Sequence, residues 1–170
     1  GVVMDTNSAP DGTILENNDI YQTEAYWTDC AGVRGAMATN GDQCSCGEDG
    51  VDVKDGGDLG LPVILTRNRI HGWLPGDSFC SSTGSAGQGL NTGGPELADG
   101  YIMMLNNIVG HSSYGITTNK KGRVSVVGNL LYEIDRLGIS SADAVKNVND
   151  VIVQHKEIYL NTMILKPDSN

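Results

Sequence analysis

Four carboxylates and an amine crowd one short stretch of this chain, Glu48-Asp49-Gly50-Val51-Asp52-Val53-Lys54-Asp55. Carboxylate oxygens are the ligands that a hard cation such as calcium takes, so Asp49, Asp52 and Asp55 are the candidate metal ligands. Lys54 is the nearest candidate for a catalytic base, which must sit within reach of the proton it removes. The carboxylates around it would hold its own proton on unless calcium offset their charge. His71 and Arg67 are fallback bases at another corner, while His111 and His155 read as structural histidines. The competing reading of Asp49, Asp52 and Lys54 is a plain solvated strand face with cross-strand ion pairs.

The rest of the chain limits what such a cluster can serve. In 170 residues, 11 Lys+Arg stand against 21 Asp+Glu, a formal net charge of -10. Nucleic acids and anionic membrane surfaces need a basic footprint, so neither is an expected partner. An acidic polymer remains possible only through local cations or a bridging metal. No apolar run approaches the roughly 20 residues of a membrane span. The 23 glycines are unlike a helical protein, whose interiors exclude glycine. A helical bundle is ruled out.

Two motifs alternate along the chain and must position the cluster. The first is an apolar pair, a polar group ending in Asn, and another apolar residue. Its copies are Ile14 to Ile20, Ile64 to Ile70, Ile102 to Ile108, Ser125 to Leu131 and Ile152 to Ile158. Aligned on Asn, they place Asn18, Asn68, Asn106 and Asn129 in register, with Lys156 at the fifth position. The second motif is Gly followed by alternating residues, beginning at Gly1, Gly50, Gly89, Gly115 and Gly138, with Thr162 to Lys166 as a weaker sixth. The pattern predicts a repeating path of short strands, each paired about 4.8 Å above its counterpart. Val2, Val51, Leu90, Ile116 and Ile139 then stack as an inward column, and the asparagines stack as a ladder at a bend. The predicted fold is all-β, a right-handed parallel β-helix of about five coils in a single domain over 1–170. A leucine-rich repeat competes weakly, because its Leu-x-x-Leu-x-Leu consensus is missing. With no polar cap at either end, the chain is expected to be a segment of a longer protein or a unit covered by partner chains through its uncapped ends.

On those asparagine copies and the coil opening at Glu48 to Asp55, the chain resembles the pectate-lyase-like superfamily of right-handed β-helix proteins, and most closely its bacterial secreted members. The resemblance implies a secreted, carbohydrate-active protein. For a calcium-assisted lyase acting on an acidic polysaccharide, carboxylates hold the ion that acidifies the substrate proton, and Lys54 removes it. The alternative within the same superfamily is a non-catalytic adhesin, spike or surface module that binds glycans or assembles with partner chains. The paired-Asp and Gly-His-Gly signatures of polygalacturonases and the Asp-Pro-His signature of alginate epimerases are absent from the chain.

Two long insertions, about 22–47 and 73–86, leave the repeat between the Asn strand and the Gly strand, and so at the same corner. Long loops on one face of a repeat are where binding sites are usually built. They hold all four cysteines, Cys30, Cys44, Cys46 and Cys80. Two disulfides in an oxidising compartment are expected, with three pairings open and one from Cys80 to the first insertion favoured. A zinc site is the rival, and Cys44-Ser45-Cys46 is too tight for the usual knuckle spacing. Alternation places Asp52, Asn91 and Thr117 in one outward column and Lys54 and Asn119 in the next. Asn91, Thr117 and Asn119, with Trp73 as an aromatic platform, are the candidate glycan contacts.

Overall fold

The computed structural model describes residues 2–4, 12–22, 49–54, 61–73, 87–92, 101–118, 123–141 and 155–164. Within them the chain is all-β. Its strands are β1 (Val2–Met4), β2 (Ile14–Glu16), β3 (Asp19–Tyr21), β4 (Asp49–Val53), β5 (Val63–Thr66), β6 (Arg69–His71) and β7 (Gln88–Thr92). They continue as β8 (Tyr101–Leu105), β9 (Ile108–Thr118), β10 (Arg123–Val127), β11 (Leu130–Ser141), β12 (His155–Tyr159) and β13 (Thr162–Ile164). Every pairing is parallel, and the strands form two sheets, neither of them closed. The five strands that precede the asparagines make one sheet, in the order β12-β10-β8-β5-β2. The other sheet holds the strands that follow the asparagines (β3, β6, β13 and the first halves of β9 and β11) and the Gly strands (β1, β4, β7 and the second halves of β9 and β11).

A left-handed residue makes the bend before each ladder asparagine. Asn17, Arg67, Asn106 and Leu160 take φ of 57°, 54°, 55° and 55°, and Gly128 takes 68°. The ladder itself is Asn18, Asn68, Asn107, Asn129 and Asn161. Two expectations are corrected here. Asn106 occupies the bend and Asn107 the ladder, and the fifth position belongs to Asn161 in place of Lys156. The left-handed position and the ladder position are adjacent, so a doublet such as Asn106-Asn107 can be aligned on either member.

The ladder is polar in direction. Each asparagine donates its backbone N–H and its Nδ2 to the Oδ1 of the next, over 2.9–3.1 Å. Nδ2 also donates to a strand carbonyl one layer back, as Asn107 does to Leu65 at 2.9 Å. A buried amide would cost roughly 1–3 kcal/mol if left unpaired, so the repeat satisfies each one along its own axis.

The Gly strands stack in the expected register, Val2 on Val51 on Leu90 on Ile116 on Ile139. Val51, Leu90 and Ile116 are fully buried, and Val2 and Ile139 pack against them from the two ends. The strands after the asparagines contribute a second apolar column, Ile70, Val109 and Leu131. The two columns approach so closely that a Cβ on Gly89 would collide with Val109, and one on Gly115 with Leu131. That collision explains why the Gly strand opens on glycine. Thr162 to Ile164, expected as a sixth Gly strand, pairs instead with Leu130 to Tyr132. A residue triplet of alternating polarity without its glycine carries no mark of which strand set it joins.

Candidate functional site

The acidic cluster is built by the Gly strands. β4 and β7 pair Asp49 with Gln88 and Asp52 with Asn91, and β9 sets Thr117 against Asn91. Alternation therefore places Asp52, Asn91 and Thr117 in one column, as the sequence predicts. Their environment differs from an open stripe. Both faces of β4 and β7 are buried, and Asp49, Asp52, Asn91 and Thr117 are only 7, 4, 4 and 5% exposed. An apolar column on one face and a polar column on the other are both out of water.

Buried carboxylates need internal compensation. Asn91 supplies part of it, donating Nδ2 to Asp49 Oδ2 at 3.1 Å and to Asp52 Oδ1 at 3.4 Å. Lys54 supplies the charge, with Nζ 2.6 Å from Asp52 Oδ2. Its side chain is 39% exposed, so the ammonium spans from water to the buried carboxylate. The Lys54 backbone N–H donates to Met4 of β1 at 2.6 Å, which ties the residue to the layer before it. Asn91 thus bridges two carboxylates of β4 from the neighbouring strand. That role was not legible in the sequence, where Asn91 reads as an outward glycan contact.

The same geometry decides how the cluster suits a cation. Both Asp52 oxygens are engaged, one by an amide and one by an ammonium. Among the described residues, no three His, Cys, Asp or Glu side chains gather to hold a metal ion. Asp49 and Asp52 therefore meet an amide, and Asp52 also an ammonium, from within the chain. Asp55, the third expected ligand, lies outside the described residues, as do Asn119 and the cysteines Cys30, Cys44, Cys46 and Cys80.

Of the fallback bases, Arg67 sits at the asparagine bend and His71 on the strand that follows it, and each has an acidic partner. Arg67 pairs with Glu16, and its Nε donates to Asn17 Oδ1 at 3.3 Å. His71 Nε2 lies 3.0 Å from Asp19 Oδ1, and its ring stacks on Tyr21 at 5.3 Å and 11°. His111 Nδ1 meets Glu133 Oε2 at 2.7 Å. These pairs cross-link neighbouring layers and do not converge on Lys54. Sequence reading missed them because the partners are about a whole repeat apart in the chain and adjacent only after stacking. Trp73, the expected platform, is 2% exposed and belongs to the apolar core. A ring buried on its faces cannot stack on a sugar.

Comparison with protein-family models, curated proteins and solved structures finds no match for the chain. No helix among the described residues is long and apolar enough to cross a membrane.

Proposed function

We propose that the chain is a right-handed parallel β-helix of the pectate-lyase-like architecture, working outside the cell as a non-catalytic structural module. Parallel strands that recur in three sets, in one register across successive layers, support the architecture. Right-handedness follows from the general preference of crossovers between parallel strands. The four cysteines in the two insertions support an oxidising compartment.

One observation carries the non-catalytic reading: Lys54 is held on the buried carboxylate of Asp52 at 2.6 Å. A lyase base must be free to take a proton from substrate, in a groove that substrate can enter. Here the amine is committed to an ion pair and the polar column behind it is buried. The cluster fastens layers together instead of facing a polymer. The test is ultraviolet absorbance of unsaturated uronide over a panel of acidic polysaccharides, with calcium and with chelator. The expected result is no product on any polymer. Calcium-dependent product that disappears in Lys54→Ala would restore the lyase.

A further inference from the structure

Asp52 stands between an amine and a primary amide. Its Oδ2 is 2.6 Å from Lys54 Nζ, and its Oδ1 is 3.4 Å from Asn91 Nδ2. Asp49 Oδ2 meets the same Nδ2 at 3.1 Å. Asp52 and Asn91 are each 4% exposed, so the carboxylate and the amide meet out of water. Asn91 Oδ1 is buried and has no hydrogen-bond partner among the described residues. A buried polar atom left in that state calls for an explanation beyond packing.

We propose that Lys54 and Asn91 join in an isopeptide bond, a covalent rung between β4 and β7. The inference rests on the pairing of these two strands and on no reading of the chain's function. Asp52 pairs with Asn91, and Lys54 follows two residues later on the same face. Lys54 and Asn91 are thus diagonal neighbours about 7–8 Å apart at the backbone, within reach of a long side chain. Lys54 Nζ is the nucleophile, Asn91 Cγ the electrophile and Asp52 the proton carrier.

The step balances without a further reactant. Asp52 takes one proton from the ammonium at Oδ2 and returns a proton to Nδ2 from Oδ1. The freed amine forms a bond to Cγ, and the Cγ–Nδ2 bond breaks. Nζ loses its second proton as the new amide forms, and the departing ammonia carries it off as ammonium. Lys54 is 39% exposed, which gives the ammonium a way into water. Asn91 is a better acceptor than Asp49 or Asp52, because attack on a carboxylate puts negative charge on a group that already bears it. Amide exchange of this kind is slow between free molecules, and holding the three groups in contact is what makes it feasible.

Mass spectrometry of the reduced chain reads the bond. Chain prepared and kept in denaturant should show its full sequence mass. After folding it should be lighter by one ammonia, and a tryptic digest should hold the Lys54 peptide joined to the Asn91 peptide, uncut after Lys54. Lys54→Arg keeps a cation beside Asp52 and should keep the full mass. Asp52→Asn keeps both reacting groups and should slow the joining about a hundredfold or more. Circular dichroism checks that each chain is folded, and wild type with Lys54→Arg decides the bond even if Asp52→Asn does not fold. A folded wild-type chain at full mass, with the two peptides separate, overturns the proposal. Ammonia loss that persists in Lys54→Arg also overturns it, by placing the loss at another amide. Joining at an unchanged rate in Asp52→Asn would overturn the role of Asp52.

Discussion

Asn107 donates twice to a single oxygen: its backbone N–H and its Nδ2 both reach Asn129 Oδ1, at 2.9 and 3.0 Å. Asn68 treats Asn107 in the same way, with its N–H and its Nδ2 3.0 and 3.1 Å from Asn107 Oδ1. One side chain thus satisfies groups from three layers, and the stack depends on it.

Replacing the fully buried Asn107 by Ala removes an acceptor from Asn68 and a donor from the Leu65 carbonyl. The expected loss is about 3 kcal/mol, set by the cost of buried groups left unpaired. Asn18→Ala, at the exposed end of the ladder, should cost under about 1 kcal/mol. Urea unfolding of the two variants measures the contrast.

Lys54→Met leaves the Asp52 carboxylate buried without its counter-charge, and Asp52→Asn leaves the lysine partly in water. The first should therefore destabilise more than the second. The double variant should recover part of the loss, with a coupling of about 1–3 kcal/mol. Additive losses in the unfolding free energies would mean that the 2.6 Å pair contributes nothing.

Gly115→Ala drives a methyl group against Leu131 and the Gly138 carbonyl. Overpacking of that kind costs about 1–3 kcal/mol. Thermal unfolding should show the loss, and Leu131→Ala in the same chain should recover only part of it, because the Gly138 carbonyl still meets the methyl group.

Leu160→Asn places a residue that tolerates left-handed backbone where leucine is strained. Stability should rise by about 1 kcal/mol, read from urea unfolding.

How much of this was legible in the sequence varies with the kind of residue. The Gly strands could be placed to the residue, because glycine followed by an aliphatic at a fixed step is a pattern with one alignment. Val2, Val51, Leu90, Ile116 and Ile139 align by it. The ladder was legible as a ladder but not in its register, because Asn106 and Asn107 are chemically the same and only their φ values separate them. At the last layer the bend residue is Leu160, which has none of the usual marks of a left-handed position, so Asn161 was passed over for Lys156. Burial of the polar column was invisible. Period-2 alternation says which way Asp52, Asn91 and Thr117 point, and says nothing about whether water reaches them.

The central claim is that parallel layers are keyed together by the asparagine ladder in this register. Residue-resolved amide hydrogen exchange tests it most directly. The account predicts slow exchange at the N–H of Asn68, Asn107 and Asn129, each donating to the next asparagine, and faster exchange at Asn161, which meets no further asparagine oxygen among the described residues. An Asn107 N–H that exchanges as fast as that of Asn161 would contradict it.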